Sequence, residues 1–323
     1  KMTDQIIERL EDNKFFSVNE EVQEDKVEKY AVGIDGSYQL IGGVGGKWYL
    51  FLSVARVLFE NGVSSQPKVN AFHVSIDEID EQLDLNVERE AKIRMFYAES
   101  KAILNWGNLN VKSIVFIDGP IVDPPFRFRN DEKYIEYRCE ALRTCLKKSL
   151  VIGCIKRIRD RFFIKFIKDK FGISELEKFP TDQHLMLLLF TKLRQKIQSG
   201  SLYTTWVDST EISESELYKK YEENGIYVVS FFYEKDIRSK ILRIDIPFTF
   251  PPSENKNLVN ETVKKVVNIL DYWTYPGQDP LPVLLAHEKC NIRRGAAEIL
   301  YEEILTKSRS IDYFDQLVAS RMR

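Results

Sequence analysis

Short apolar runs with a strand-like period dominate the first eighty residues of this chain. An apolar run over residues 30–34 predicts a first strand. Two more strands are predicted in "KWYLFLSVARVLF", which is dense in β-branched and aromatic residues, and in "KVNAFHVSIDEID" (Lys68–Asp80), which alternates apolar and polar residues. Because the connections between these strands are short, the pattern predicts a three-strand antiparallel meander.

Helix-like and strand-like periods alternate in the next part of the chain. The apolar positions predict helices over about Val87–Leu104 and Asp131–Lys148, and strands over Ser113–Ile117 and Leu150–Lys156. The resulting order, β-β-β-α-β-α-β, is typical of the ribonuclease H-like fold. We therefore predict an α/β protein with a ribonuclease H-like mixed sheet, in which the antiparallel meander continues into parallel strands.

The remaining segments add helices and late strands to this sheet. Late strands are predicted in "TTWVDST", "GIYVVSFFY" and "KILRIDIPF", and helices over a basic segment, Asp182–Gln198, Asn257–Trp273 and Arg293–Leu305. We find no internal repeat and no low-complexity linker. The prediction is a single elaborated domain over residues 1–323, with residues 1–28 as an N-terminal helical extension.

Composition narrows the setting in which such a domain would work. The chain has 323 residues, of which 44% are hydrophobic, so it can form a substantial core. Its longest apolar runs, such as "LMLLLF", are far shorter than the roughly 18 residues of a membrane span. Four cysteines without CxxC spacing predict reduced thiols and make zinc an unfavourable choice. We expect a cytoplasmic protein with no secretory signal and no membrane partner.

Charge is nearly balanced over the whole chain but not along it. The 47 basic and 49 acidic residues leave a formal net charge of -2. Between Arg143 and Lys170, however, ten lysines or arginines stand against two aspartates. Such a surplus is a candidate binding surface for a polyanion. The alternative interpretation is an ordinary solvated helix face.

Two aspartates occupy matching positions after apolar strands. Asp35 lies in "GIDGS" and Asp118 in "FIDGP", and the two would be neighbours if their strands pair. Two ionised carboxylates at short range repel each other unless a cation lies between them. The following residues, Gly36 and Gly119, would leave room for a substrate backbone. An Asp-Gly pair after a strand can also be no more than a turn.

Two further residues are candidates for the same site. Glu99 lies close to the apolar face of a predicted helix, where a carboxylate needs a partner, although pairing with Lys92 or Lys101 is an alternative. His287 follows the apolar run "LPVLLA" and could equally be a structural residue at the edge of the core. Carboxylate oxygens suit magnesium or manganese. "IGGVGGKW" lacks the spacing of a phosphate-binding loop, and no nucleophile elbow is present, so nucleotide hydrolysis and serine hydrolysis have no support.

Together these motifs resemble the NurA family of prokaryotic DNA-end-processing nucleases. The resemblance rests on "GIDGS", a helical glutamate, "FIDGP", and a Tyr-Pro pair followed by "LLAH", and it covers nearly the whole chain. It implies that Asp35, Glu99 and Asp118 bind metal and that Tyr275 and His287 belong to the C-terminal catalytic motif. The "GQD" stretch after Pro276 departs from the family pattern and leaves the role of Tyr275 open.

The resemblance also implies an activity and partners. Members are manganese-dependent nucleases with a ribonuclease H-like fold, and we expect manganese here, with magnesium as the second candidate and two ions per site. In such a site one ion activates water and the other stabilises the leaving oxygen. The implied function is exonuclease action, with 5′–3′ polarity expected, and single-strand endonuclease action in double-strand-break repair. The implied partners are DNA, a second copy in a homodimer, and a HerA-type hexameric ATPase.

Basic residues are the candidates for contact with the DNA backbone. We predict this role for Arg127, Arg129, Lys156, Arg157, Arg159 and Arg161. Phe126 and Phe128 could stack on bases or pack in the protein. Two rival functions stay open at this point: a non-catalytic nucleic-acid-binding protein of the same fold, and an RNA-directed nuclease.

Overall fold

The strands of the chain form one large mixed sheet. The computed structural model describes residues 2–44, 47–80, 86–123, 132–213 and 215–307. The strands are β1 (Phe16–Asn19), β2 (Ala31–Val44), β3 (Lys47–Phe59), β4 (Lys68–Asp80), β5 (Ile114–Asp118), β6 (Leu150–Ile155), β7 (Ser201–Thr204), β8 (Val207–Asp208), β9 (Tyr227–Glu234) and β10 (Leu242–Phe248). Their order across the sheet is β1-β7-β9-β10-β6-β5-β2-β3-β4, with β8 beside β9.

Helices connect these strands and cover the sheet. They are α1 (Met2–Asp12), α2 (Val87–Asn108), α3 (Glu132–Leu146), α4 (Phe162–Phe171), α5 (Asp182–Arg194), α6 (Ser209–Ile212), α7 (Glu216–Glu223), α8 (Lys256–Trp273), α9 (Leu281–Cys290) and α10 (Arg294–Lys307). Within the described ranges, no helix combines the length and the apolar character that crossing a membrane requires.

The centre of the sheet confirms the predicted ribonuclease H-like arrangement. Strands β2, β3 and β4 form the antiparallel meander. Strand β5 pairs in parallel with β2, and β6 pairs in parallel with β5. The carboxyl ends of β2, β5 and β6 therefore point to the same edge of the sheet, which is where ligands bind in open α/β sheets.

The predicted late strands extend the sheet, and they do so on the β6 side. Strand β10 pairs antiparallel with β6 and with β9, and β7 joins β9 to β1. The N-terminal segment differs from the prediction of a helical extension. It begins with α1, but residues 16–19 form strand β1 at the edge of the sheet.

Helices cover both faces of the sheet. Successive side chains along its central strands point to opposite faces, and both sets are buried under these helices. On β5, Val115 and Ile117 join the core packed under α2 and α3, whereas Ile114 and Phe116 join the core packed under α8 and α9. This alternation is that of a strand buried on two sides. The sheet is thus the middle layer of three.

Helix α9 was not predicted from the sequence, and it fixes one wall of the site. Its backbone lies directly on β2, because a Cβ atom at Gly33 would come 2.0 Å from the carbonyl oxygen of Pro282. Only a glycine at this position permits such an approach. Asp35, two residues along the strand, faces the same side of the sheet and therefore meets the end of α9.

A candidate metal centre

Three side chains from distant parts of the chain converge where β2 and β5 part. Pairing between these strands ends at Ile34 and Ile117, one residue before each aspartate. His287 reaches the same point from the last turn of α9. Its Nδ1 atom lies 2.8 Å from Oδ2 of Asp35 and 3.1 Å from Oδ2 of Asp118. Each residue offers one ligand atom, and these atoms all lie within 4.8 Å of one another.

Asp35 is buried in the middle of β2 instead of ending a short strand. Its Oδ2 atom also accepts a hydrogen bond from the Cys290 thiol at 3.2 Å, and its Oδ1 atom accepts one from the Gly36 amide at 2.8 Å. Burial, and then the charge of Asp118, raise the pKa of Asp35 to about 6, although the contacts with Cys290 and His287 oppose the shift. These contacts therefore compensate its ionised form only in part.

Asp118 is paired with a lysine. The Lys156 ammonium, directly after β6, lies 2.8 Å from Oδ2 of Asp118 and 3.5 Å from Oδ2 of Asp279. Burial alone would lower the pKa of Lys156, but the charges of Asp118 and Asp279 outweigh it and raise the pKa. Asp279 belongs to the "GQD" stretch after Pro276. Lys156 therefore lies among the acidic side chains of the cluster, whereas the nearby Arg157 and Arg159 are exposed.

Glu99 approaches the cluster from the other face of β2. A Cβ atom at Gly36 would come 2.7 Å from Oε1 of Glu99 and 3.0 Å from Cγ of Met95, so this glycine makes room for α2. The sequence suggested that Gly36 makes room for a substrate; its open side is instead taken by Glu99. Burial raises the pKa of Glu99 well above its ordinary value, opposed by the charge of Arg138 and reinforced by the charge of Asp35.

Arg138 and Asp123 lie behind Glu99 and were not singled out in the sequence. The Arg138 side chain is completely buried on α3, with its guanidinium 5.1 Å from the Phe96 ring centre. Burial raises the pKa of Asp123 to about 6, and the charge of Arg138 lowers it. Arg138 is therefore a fixed positive charge behind two carboxyl groups. An arginine on a predicted amphipathic helix carries no sequence signal for that position.

The donor set fits a divalent cation. Carboxylate oxygens and an imidazole nitrogen are ligands that manganese and magnesium accept, and imidazole favours the former. Burial and mutual repulsion hold the pKa of Asp35 high, and a cation would relieve both costs. The Lys156 ammonium already provides one positive charge at Asp118. The group thus has the composition and the unbalanced charge of a metal site.

The other predicted site residues lie at varied distances from this cluster. Tyr275 is 47% exposed, in the turn between α8 and α9, and its hydroxyl forms no hydrogen bond with another described residue. Arg157, Arg159 and Arg161 are exposed on the segment between β6 and α4. Arg127, Arg129, Phe126 and Phe128 lie outside the described residues.

Besides the predicted metal ligands, two residues could have been assigned to this cluster from the sequence. Lys156 directly follows β6 as Asp118 ends β5, so adjacent parallel strands bring both to one edge. Cys290 lies three residues after His287, the spacing that places two side chains on one helix face. Asp279 had no such signal, because its position depends on the turn before α9.

A comparison with known protein families covers the residues of this cluster. Residues 29–292 match the family model of the NurA domain, a range that contains both strand-end aspartates, Glu99 and His287. The chain belongs to the NurA family. It is accordingly a NurA-family nuclease, and the family range leaves out α1, β1 and α10. No curated protein matches the chain.

Solved structures agree on the fold of this NurA-family chain. The NurA nuclease from Sulfolobus solfataricus is similar with a TM-score of 0.61 and 14% identity, over 96% of this chain and 92% of that one. A structure of NurA with manganese has a TM-score of 0.50 and 10% identity, over 93% of this chain and 95% of the other. At these identities the likeness concerns the fold.

Proposed function

We propose that this NurA-family nuclease is a metal-dependent deoxyribonuclease that cleaves phosphodiester bonds at DNA ends. The observation that carries the proposal is the convergence of Asp35, Asp118 and His287, with ligand atoms all within 4.8 Å of one another. Excess buried negative charge at that point favours a cation over a purely structural role.

The acidic residues and His287 would hold the cation. Asp35 and Asp118 bind it directly, His287 contributes nitrogen, and Glu99 completes the set from α2. Manganese is the preferred ion and magnesium the second, with two ions per site. The bound cation would activate water and stabilise the leaving oxygen of an in-line displacement.

Lys156 and Asp279 have a different part in this proposal. When a cation takes over the charge of Asp118, the ammonium can keep Asp279 as its counter-ion and turn to the substrate phosphate. This assignment agrees with the prediction that Lys156 contacts DNA, and it moves the contact to the scissile phosphate. Arg157, Arg159 and Arg161, together with Arg127 and Arg129, follow the backbone further away. Tyr275 borders the entrance as a second substrate contact.

The finer properties come from the family resemblance. They are 5′–3′ exonuclease and single-strand endonuclease action, a role in double-strand-break repair in the cytoplasm, a homodimer, and a HerA-type hexameric ATPase as motor. Since the sequence has no nucleotide-binding loop, processive digestion of long duplexes would need that outside motor. Light scattering of the purified protein checks the dimer.

One cleavage assay tests the central proposal. Single-stranded DNA, duplex DNA and RNA of equal length are incubated with the protein in manganese, in magnesium and in chelator, and end labels on either terminus report polarity. We expect manganese-dependent loss of DNA and intact RNA. Digestion of RNA alone would identify an RNA-directed nuclease, and binding without cleavage in either metal would identify a non-catalytic nucleic-acid-binding protein.

A further inference from the structure

A tyrosine-lined pocket lies between α2, α3 and the meander, apart from the metal centre. Its cavity volume is about 410 Å³, within the roughly 300–1,000 Å³ of ligand pockets. Leu52, Ala98, His73 and Asp77 contribute to its lining. The aromatic residues at its mouth are Tyr97 on α2 and Tyr134 and Tyr137 on α3.

The three rings form a connected, half-buried cluster. The centre of the Tyr97 ring lies 5.4 Å from that of Tyr134 and 4.8 Å from that of Tyr137. None of the three rings is fully buried, so each keeps a part of its surface in the pocket. Rings that are held by neighbours and partly open to solvent lose little freedom when they stack on a ligand.

Positive charge surrounds these rings. The Lys101 ammonium lies 4.6 Å from the centre of the Tyr97 ring, and that of Lys133 lies 4.9 Å from the centre of the Tyr134 ring. Neither lysine forms an ion pair with a carboxylate among the described residues. Arg94 also lines the pocket and is paired with Glu90. The acid at the pocket, Asp77, accepts a hydrogen bond from Ser75.

The pocket and Glu99 share helix α2. Tyr97, Glu99 and Lys101 follow one another at two-residue steps, about 3 Å each along the helix axis. Glu99 faces β2, whereas Tyr97 and Lys101 face the pocket. Glu99 and the pocket therefore lie on opposite sides of a helix that is roughly 10–12 Å wide.

We infer that this pocket binds a nucleobase of the unpaired substrate strand, which stacks on the tyrosine cluster while Lys101 and Lys133 contact the adjacent phosphates. Aromatic rings bordered by unpaired cations match the base and phosphate of single-stranded nucleic acid. The inference rests on the proposed function for the identity of the strand as DNA. It assigns to the pocket the task of holding an end that has already been separated.

Two probes separate stacking from charge. Fluorescence anisotropy with the full chain in chelator, where no cleavage occurs, compares a labelled 15-residue thymidine oligonucleotide with an abasic oligonucleotide of the same length. We expect the wild type to prefer the thymidine probe. Tyr134→Ala should weaken its binding about 5- to 150-fold, equivalent to about 1–3 kcal/mol per lost stack, and leave the abasic probe unaffected.

Matched variants make the outcome decisive. Tyr134→Phe retains the ring and should bind both probes as the wild type does. The double change Lys101→Gln and Lys133→Gln should weaken both probes equally and flatten the salt slope by roughly 1.4, about 0.7 for each phosphate contact. This double variant also tests the site if Tyr134→Ala fails to melt cooperatively.

Three results would overturn the inference: no preference of the wild type for bases, an unchanged preference in folded Tyr134→Ala, or an unchanged salt slope in the lysine variant. Manganese-dependent cleavage by the wild type is measured separately. If cleavage is absent while the base preference depends on Tyr134, the proposed function fails and the binding site stands. If cleavage is present and the base preference does not depend on Tyr134, the proposed function stands and the binding site fails.

Discussion

Buried carboxylates occur in both halves of the sheet, but their partners differ. In the half formed by β7, β9 and β10, Asp271 accepts hydrogen bonds from Asn19 at 2.6 Å, Ser201 at 2.7 Å and Tyr233 at 2.8 Å. Asp245 likewise accepts from Ser230 at 2.7 Å and from Arg243 at 3.0 Å. The polar side chains of this half satisfy its acids.

The half formed by β2 and β5 places its acids close to one another. Asp35 and Asp118 both contact His287, Asp35 also accepts a hydrogen bond from Cys290, and Asp118 is paired with Lys156. Burial and the charge of Asp118 nevertheless raise the pKa of Asp35 to about 6. Glu99 is 5% exposed and makes no side-chain hydrogen bond to another described residue. A buried carboxylate without a partner is costly, so it persists where a ligand compensates it. The comparison supports the proposal that an external cation binds at the edge shared by β2 and β5.

The largest effect that this comparison predicts is on turnover. Asp35→Asn should abolish detectable cleavage and leave the melting temperature equal or higher, because it removes one of two repelling charges. The measurement is the initial cleavage rate in saturating manganese, with the melting curve of the same preparation. Asp236→Asn, in the partly exposed turn after β9, is the matched control and should cut normally. Cleavage by Asp35→Asn at the wild-type rate would remove this residue from the metal centre.

The second prediction concerns a buried ion pair in the half formed by β7, β9 and β10. The Arg194 guanidinium is 3% exposed and lies 2.6 Å from Oε2 of Glu234. Glu234→Ala leaves this cation buried without its partner, which should cost about 3–5 kcal/mol of unfolding free energy. Urea unfolding measures the loss, and turnover per folded molecule should not change. A stable but inactive variant would show that the two halves are not separate in function.

The third prediction concerns metal addition. Manganese at 100 times its dissociation constant should stabilise the folded protein by about 2.7 kcal/mol, because it binds the native centre and not the unfolded chain. We expect a higher melting temperature for the wild type and little change for Asp35→Asn or His287→Ala. A potassium chloride titration at matched ionic strength serves as the control for general screening. Equal stabilisation of the wild type and both variants would mean that manganese binds elsewhere.

The fourth prediction concerns Asp182, a buried acid on α5. Asp182 accepts hydrogen bonds from the amides of Phe163 and Ile164, both at 2.9 Å, and has Asp160 as a neighbour. Burial, the largest cause, raises its pKa from 3.8 to about 7, and Asp160 reinforces the shift. The folded state then binds more protons than the unfolded state between these values. Stability should therefore fall as pH rises from 4 to 7, by at most about 1.4 kcal/mol per unit.

Asp182→Asn should flatten this dependence. Unfolding free energies of the two proteins at pH 5 and pH 7, measured in urea, give the difference directly. A slope that the substitution does not change would assign the pH dependence to other buried acids, such as Asp208, whose pKa is also raised to about 6 by burial.

The order of the helices and strands could be predicted because, in most segments, the hydrophobic period and the segment length indicate the same type of element. The predicted meander, the two following helix–strand units and the late strands all occur, most with bounds shifted by a few residues, although β2 continues ten residues beyond its predicted end at Ile34. Helix α9 was missed because its ten residues have Pro282 near the start and an apolar run that fits a core segment of any kind. Strand β1 was missed because four residues pair only with the distant β7.

The candidate site could be predicted only in part. Some of its residues have a signal in their own sequence neighbourhood, whereas the position of others depends on how distant segments pack. Asp35 and Asp118 carry a signal, since each follows an apolar run of sequence, and the structure brings them together with His287. Lys156 was assigned to a basic surface because its sequence neighbours are basic. Charge counts along a chain do not distinguish an exposed lysine from one that is 21% exposed between two aspartates. The position of Glu99 against Gly36 likewise depends on how α2 docks.

The contact between α9 and Gly33 also bears on when the proposed metal centre can form. The hydrogen bond that joins His287 to Asp35 spans 252 residues of sequence. During synthesis, β2 leaves the ribosome long before α9 does, and pairings that span so much chain form late. A nascent chain then carries its first aspartate through most of translation without the histidine. In this order of events, the proposed metal centre is complete only after α9 has been synthesised.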